Sequence, residues 1–341
     1  MKTRWPVIKG SLAAVAIAIL ILDSKTALAG AQKGIALCIQ TVIPSLFPFF
    51  VLSILLTGAI IGHGSRLFGP LCRLFSVPYG TEGLLAVGFF GGYPVGAQCV
   101  SQAFESGILS QEDARRMVVI CNNCGPAFLF GMTATLFDDR WIPWLLWAVQ
   151  IVSSCITARI LSGKCSPVGR ATGTRVTLIQ ALDRALKVMA SVCGWVILFR
   201  VVLTFFEGWI LWVLPLEVQV AVSGLLELSN GCFELFRLEN VGLRFILCAG
   251  MLNFGGICVS LQTMAVTTER LDRSLYFPGK VFLCGTSLLL AWMIQFSLFP
   301  SEQRWALPMA AGILILISVV AFGFFLRKIQ NKSSIPVKLG V

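Results

Sequence analysis

The sequence predicts an all-α polytopic membrane protein on the basis of three observations. Of 341 residues, 57% are hydrophobic and only 13% are charged, whereas soluble domains are about 25% charged. The mean hydropathy is +0.85. Apolar stretches of bilayer-spanning length recur along the chain, which is typical of transmembrane helices. A water-soluble fold of this length could not bury so much apolar surface.

The net charge of +11 does not indicate nucleic acid, because the basic residues lie in short segments between apolar spans, as the positive-inside rule describes. The expected partners are the lipid bilayer and a small-molecule substrate, and a homo-oligomer is compatible with the sequence. The twelve cysteines are scattered, mostly within apolar segments, and predict neither a disulfide framework nor a metal site. No cofactor motif or hydrolase motif is present, so an enzyme is not predicted.

Residues 1–33 are predicted to form a first transmembrane helix and a loop. Basic residues precede the apolar run 11–22, and the sequence ALA at 27–29 resembles a signal-peptidase site. Because Asp23 and Lys25 lie between the run and that site, retention of the helix is favoured over cleavage.

Two units with the same order of segments follow, and a basic cytoplasmic loop at 163–187 separates them. The first unit (34–162) comprises an apolar segment interrupted by two prolines, a Gly/Pro-rich segment, a span broken by NNCGP and a plain span: 34–61, 83–104, 117–137 and 141–161. The second unit (188–300) comprises a span, a short segment with a polar end, a span broken by NFGG and a plain span: 188–206, 214–231, 241–266 and 281–299. A last helix at 309–326 and a basic tail complete residues 301–341.

Charge favours an inverted repeat with two re-entrant hairpins, at 83–104 and 214–231. With these hairpins, about eight crossings remain, both termini are cytoplasmic, and 20 of the 27 lysines and arginines lie inside, with seven outside. If either hairpin crossed fully, the basic loop and the basic tail would fall on opposite sides. Broken helices that meet at mid-bilayer in an inverted repeat are typical of transporters.

The two helix breaks are the first candidate sites. Unpaired carboxamides in hydrocarbon cost several kcal/mol each, and glycine or proline directly after them frees backbone groups that could bind a substrate. The alternative is that the asparagines are interhelical hydrogen-bond donors at a kink. The candidates here are Asn122, Asn123 and Gly125 in the first break and Asn253 and Gly255 in the second.

The predicted hairpin tips supply the remaining candidates. Gly92 and Gln98 belong to the first tip, which could instead be a tightly packed turn. Ser229 and Asn230 belong to the second, beside Glu227, which is predicted to be a proton- or cation-coupling residue because an intramembrane carboxylate is costly. The alternative for Glu227 is a shallow hairpin that exposes it to water.

These motifs resemble the YlbJ family of sporulation integral membrane proteins, which carries the nucleoside recognition (Gate) domain. The similar segments are PSLFPFFVLS at 44–53, GGYPVGA at 91–97, CNNxGP at 121–126, LELSNG at 226–231 and NFGGxxVxxQ at 253–262, which adds Gln262 to the candidates. The resemblance implies a fold related to concentrative nucleoside transporters and transport of dipicolinic acid during sporulation, across a bacterial inner membrane such as that of the forespore. Arg200 is a candidate counter-charge for this dianion.

Two alternatives from other classes remain open. A nucleoside or nucleobase symporter would share the fold, and its ribose hydroxyls would bind carboxylates and amides. A membrane assembly factor in sporulation would use the polar breaks for packing alone.

Overall fold

A computed structural model of the chain describes residues 4–60, 69–169 and 176–299, together with Gly312, Phe322 and Gly323. Within these residues the chain is helical and contains no β-strand. The helices of the N-terminal part are α1 (Arg4–Leu22), α2 (Ser24–Leu37), α3 (Ile43–Ile60), α4 (Gly69–Leu74), α5 (Glu82–Phe90), α6 (Val95–Glu105), α7 (Gln111–Ile120), α8 (Pro126–Leu136) and α9 (Ile142–Ile160). Those that follow are α10 (Leu178–Trp209), α11 (Leu216–Leu226), α12 (Leu228–Glu234), α13 (Val241–Phe254), α14 (Gly256–Val266) and α15 (Tyr276–Leu298).

Five helical segments are long and apolar enough to cross a bilayer: Ser24–Leu56, Ile142–Ile160, Leu178–Trp209, Val241–Val266 and Tyr276–Leu298. This finding confirms the class of polytopic helical membrane proteins. The other predicted crossings are not among them. The apolar part of α1 is the short segment Gly10–Leu22, the span 117–137 is divided between α7 and α8, and the span 309–326 lies almost wholly outside the described residues. Eight crossings therefore stay a prediction.

The segment before residue 34, predicted to be a loop, is helical. The Asp23 carboxylate accepts a hydrogen bond from the Thr26 amide at 3.2 Å and so caps α2. A Cβ added at Gly30 or Gly34 would lie 2.9 Å from a backbone Cα of α10. Two glycines four residues apart thus allow α2 and α10 to pack at close range, as small residues do between membrane helices.

The two prolines of the segment 34–61 do not interrupt the helix. A π-helical turn, Cys38–Val42, joins α2 to α3 just before Pro44, and Pro48 lies inside α3. Proline lacks an N–H and its ring displaces the carbonyl four residues earlier. The wider π turn makes room for that displacement, so the helix continues.

Helix α10 begins within the segment assigned to the basic loop. Thr177 and Gln180 form a capping box, in which the Gln180 amide donates to the Thr177 hydroxyl at 3.3 Å and the Thr177 amide donates to Gln180 Oε1 at 3.2 Å. These reciprocal bonds satisfy two N–H groups at the helix start. The span predicted from Val188 is therefore only part of a 32-residue helix.

Two helical hairpins and two broken helices recur in the same order. Hairpin 1 consists of α5 and α6, and hairpin 2 of α11 and α12. The 9 and 11 residues of α5 and α6 correspond to lengths of about 14 and 17 Å, short of the hydrocarbon core of about 30 Å. Break 1 (residues 121–125) separates α7 from α8, and break 2 (Gly255) separates α13 from α14. Whether the second set is inverted relative to the first stays a prediction.

Candidate functional site

Both hairpin tips and break 1 meet at one small buried cavity of about 30 Å³. Its walls are completed by the start of α3, the middle of α10 and the first turns of α14. The lining residues are Val42, Leu46, Tyr93, Cys124, Gly125, Phe128, Val192, Val196, Glu227, Leu228, Ser229, Val259 and Gln262. Such a cavity accommodates one or two water molecules.

The tip of hairpin 1 lies against break 1. Gly92 has a left-handed φ of +77°, and a Cβ added to it would lie 3.1 Å from the Gly125 amide nitrogen. Only glycine combines that conformation with so close a backbone approach. The neighbouring Tyr93 extends from the tip into the protein, where its hydroxyl donates to the carbonyls of Leu252 at 3.0 Å and Asn253 at 3.2 Å.

The two asparagines of break 1 are fully buried and face different partners. Asn122 Nδ2 donates to the hydroxyls of Thr263 and Tyr276, each at 2.8 Å. Asn123 Nδ2 donates to the Ile120 carbonyl at 2.6 Å, and its Oδ1 accepts from Ser154 at 3.3 Å. Asn122 therefore bonds to the C-terminal unit, whereas Asn123 stabilises the end of α7 and contacts α9.

Gln150 of α9 supports break 1 from behind. It is buried, and its Nε2 donates to the Cys124 carbonyl at 2.9 Å. Because Cys124 lies between α7 and α8, its carbonyl has no partner in an α-helical ladder. Gln150 thus fixes the backbone that lines the cavity.

Glu227 forms the tip of hairpin 2. It lies between α11 and α12 in an extended conformation, and its carboxylate accepts hydrogen bonds from the amide of Ser229 at 3.0 Å, the amide of Asn230 at 2.7 Å and Asn230 Nδ2 at 2.7 Å. Two of these donors are free N–H groups at the start of α12, where a negative charge is favoured. Glu227 is only 2% exposed, so it does not meet bulk water in this conformation.

Arg200 holds hairpin 2 against α10. Its guanidinium donates to Asn230 Oδ1 at 3.3 Å and forms an ion pair with Glu207 at 3.1 Å. The positive charge that the sequence offered as a substrate counter-charge is thus paired with Glu207, and Arg200 is not among the residues that line the cavity.

Break 2 is made by two glycines with positive φ, Gly255 at +80° and Gly256 at +81°. A Cβ at Gly255 would lie 3.1 Å from the Tyr93 ring, so this break packs against the tip of hairpin 1. Asn253 is buried, and its Nδ2 donates to the Ala249 carbonyl of its own helix at 2.9 Å. Gln262, on α14, lines the cavity, and its Nε2 donates to Cys258 Sγ at 3.2 Å.

Lys280 is fully buried and contacts Tyr93, one of the residues that line the cavity. Its ammonium donates to the Asn122 carbonyl at 2.8 Å and to the Tyr93 hydroxyl at 3.1 Å. In the described part of the chain it forms no ion pair.

Four of the candidates predicted from the sequence line the cavity: Gly125, Glu227, Ser229 and Gln262. Gly92, Asn230 and Gly255 contact the lining residues, as described above. Asn122, Asn123 and Asn253 are buried in hydrogen bonds beside the breaks instead of lining it. Gln98 is half-buried on α6 and, like them, is not among the residues that line the cavity.

Sequence reasoning missed Lys280 and Gln150. Lys280 adjoins the predicted span 281–299, so it was counted as a topology-setting cation. The aromatic residues Tyr276 and Phe277 before it are the signal that the helix starts earlier, which places Lys280 one turn inside. Gln150 is a lone amide in a plain apolar span, and intramembrane polar residues of this kind usually contact other polar groups.

The chain is similar to the sporulation integral membrane protein YlbJ of Bacillus subtilis (strain 168). The two sequences are 24% identical in an alignment that covers 81% of each chain. No protein-family profile matches the chain, and no solved structure matches it. The similarity bears out the family resemblance that the motifs indicated, and with the long apolar helices it indicates a sporulation-related membrane protein.

Proposed function

Taking the similarity to a sporulation integral membrane protein as the premise, we propose that this chain is a membrane transporter of a small polar or anionic solute. The observation that carries the proposal is the convergence of two hairpin tips and a broken helix on one buried cavity. Irregular backbone at membrane depth is tolerated where it is buried in protein or lines a cavity. Transporters place their substrate where such discontinuous helices meet.

The half-helices beside the cavity suit a solute with a negative group. Helix α8 begins after Gly125 and α14 begins after Gly255, and neither N-cap residue has a side chain that could occupy the free N–H groups. Such helix starts favour anions. At the start of α12, by contrast, the Glu227 carboxylate already occupies the N–H groups.

We propose dipicolinate as the substrate and Glu227 as the coupling residue. Dipicolinate is a planar dianion, and charge-assisted bonds to N–H donors suit its carboxylates. Binding of a proton to Glu227 would remove a negative charge from the cavity wall and lower the repulsion of the dianion. Its position at a hairpin tip fits a group that is exposed in one state and enclosed in another.

Transport requires that the hairpins move. The cavity volume of about 30 Å³ holds water but no solute of the size of dipicolinate. In this proposal the described conformation is closed, and hairpins 1 and 2 are re-entrant gates of an inverted repeat that open in turn.

A nucleoside symporter is the second candidate, and one observation favours it. The Glu227 carboxylate and the Gln262 amide line the same cavity, and together they could bind the hydroxyls of a ribose. An ionised carboxylate would accept hydrogen bonds from ribose hydroxyls but would repel a dianion. Nucleoside binding therefore favours ionised Glu227, whereas dipicolinate binding favours protonated Glu227.

The experiment is uptake into proteoliposomes that contain the purified full-length chain. Labelled dipicolinate and labelled uridine are supplied separately, with and without a pH gradient, and empty liposomes serve as the control. Uptake of dipicolinate above the control, competed by unlabelled dipicolinate and not by uridine, is the expected result. Saturable uptake of uridine alone would indicate a nucleoside symporter instead of a dipicolinate transporter. If the protein remains folded and takes up neither solute, a membrane assembly factor is favoured.

A further inference from the structure

We propose that the ammonium of Lys280 is a tethered cation that occupies the place of a dissolved coupling ion between the two helix breaks. The term coupling ion rests on the proposed transport function, whereas the test below measures stability and does not require transport. It follows from the partners of the ammonium, from their position at helix ends and from the absence of a counter-charge.

The ammonium connects both breaks. It donates directly to the Asn122 carbonyl in break 1, at 2.8 Å. It also donates to the Tyr93 hydroxyl at 3.1 Å, and this hydroxyl in turn donates to the carbonyls of Leu252 and Asn253 next to break 2. A single positive charge thus holds the tip of hairpin 1, break 1 and, through one hydroxyl, break 2.

Both of these ends are the negative ends of half-helices. Asn122 follows the end of α7, and Leu252 and Asn253 lie in the last turn of α13, where carbonyls have no partner within the helix. The aligned peptide dipoles add a partial negative charge at each end. Carbonyls of unwound segments and helix C-termini are the groups with which transporters bind Na⁺ or H⁺.

Among the described residues, the charge of the ammonium has no acidic partner. The titratable side chains that face it are the Tyr93 phenol from hairpin 1, the Cys124 thiol from break 1 and the Cys284 thiol from its own helix. In the described residues Lys280 forms no ion pair. A buried cation without a carboxylate is costly, so its stabilisation comes from the carbonyl and hydroxyl oxygens around it.

Two further observations indicate that the position is built for a cation. A Cβ at Gly279 would lie 2.7 Å from the Val119 side chain, so a glycine beside Lys280 lets α15 approach α7 closely. Asn122 Oδ1 is buried and has no hydrogen-bond partner among the described residues. This oxygen belongs to the same residue whose carbonyl binds the ammonium, and it could complete the shell of a small cation.

The test compares Na⁺ with choline at equal ionic strength, using the unfolding temperature of the purified full-length protein. The wild type is expected to unfold at the same temperature in both salts, because the ammonium already occupies the site. Lys280→Ala removes the ammonium and leaves its oxygen partners, so Na⁺ is expected to raise its unfolding temperature by about 3 °C over choline. Lys187→Ala is the matched control, since Lys187 is exposed on α10 and pairs with the exposed Asp183.

Stabilisation of the wild type by Na⁺ would overturn the proposal, and this measurement needs no variant. An unfolding temperature of Lys280→Ala that is the same in both salts would also overturn it. If Lys280→Ala does not fold, Lys280→Ser is the substitute, and its unfolding temperature must likewise rise in Na⁺. Uptake of dipicolinate and uridine by the wild type is measured separately. If the wild type takes up neither solute but Na⁺ stabilises Lys280→Ala, the transport function is rejected and the tethered cation is retained.

Discussion

The two hairpins have the same place in the order of helices but are held at their tips in different ways. Hairpin 1 has an uncharged tip, and its Tyr93 bonds to carbonyls of the C-terminal unit at 3.0 and 3.2 Å. Hairpin 2 has a charged tip, and within the described residues Glu227 bonds to the start of its own second helix. The tip of hairpin 1 is thus bonded to the other unit, whereas hairpin 2 is bonded within the C-terminal unit, to its own second helix and, through Arg200, to α10.

The two helix breaks also differ in whether their asparagines bond to the other unit. Asn122 donates to Thr263 and Tyr276 of the C-terminal unit, but Asn253 donates to a carbonyl one turn earlier in its own helix. At the hairpin tips and the breaks, the described polar contacts between the units are therefore made by Tyr93, Asn122 and Lys280. In the proposed transport cycle, we therefore expect hairpin 2, whose described residues make none of these contacts, to open before hairpin 1.

The largest effect is expected where hairpin 1 meets break 1. A Cβ at Gly96 would lie 1.7 Å from the Cys121 carbonyl oxygen, so Gly96→Ala must displace backbone, at a cost of about 3 kcal/mol. Gly194→Ala is the control, because a Cβ there meets nothing within 4 Å. Thermal unfolding in detergent measures both. Equal stability of the two variants would contradict so close a contact between hairpin 1 and break 1.

The next effect separates the two asparagines. Asn122→Ala is expected to cost about 1–2 kcal/mol, because it removes two bonds between the units, and Asn253→Ala about 0.5 kcal/mol. Chemical denaturation in mixed micelles compares them. From the sequence we also expect Asn122→Ala and Asn123→Ala to abolish transport by protein that stays folded and inserted. Equal destabilisation by Asn122→Ala and Asn253→Ala would remove the asymmetry between the breaks.

Glu227→Gln is expected to lower stability by about 1 kcal/mol, because its amide nitrogen would face the N–H donors of α12. In transport, Glu227→Gln should retain substrate binding and lose pH-dependent accumulation, since it cannot exchange a proton. Glu217→Gln, on the exposed first turn of α11, is the control. Full pH dependence in Glu227→Gln would rule this residue out as the coupling site and leave it as a helix cap.

An effect as modest as that of Glu227→Gln is expected for Tyr93→Phe, which keeps the ring against Gly255 and removes the hydroxyl. A loss of about 1 kcal/mol follows from the bonds to Leu252, Asn253 and Lys280. Tyr79→Phe, at a residue that is 55% exposed, should have no effect. Amide hydrogen exchange at α13 and α14 would report the lost link directly. Unchanged exchange there would show that hairpin 1 is not fastened to the C-terminal unit by this hydroxyl.

The class, the positions of both breaks and the segments that form the two hairpins could all be predicted from the sequence. Each of these depends on local properties: apolar length, glycine and proline in otherwise helical runs, and carboxamides beside them. The helix starts were less well predicted, although the caps at Asp23 and Thr177 are visible in the sequence. The apolar-length criterion gave no weight to polar helical turns outside the bilayer.

Which polar residues line the cavity could not be predicted, because it depends on the packing of helices that are distant in sequence. Asn122 and Gly125 are close in sequence, yet one is buried in bonds to α14 and α15 and the other faces the cavity. Lys280 resembled a topology-setting cation until the packing of Gly279 on α7 placed its ammonium at break 1. The sequence shows that a polar group in hydrocarbon needs a hydrogen-bonding partner, because leaving it unpaired is costly. Which residue becomes that partner depends on the packing of helices that are distant in sequence.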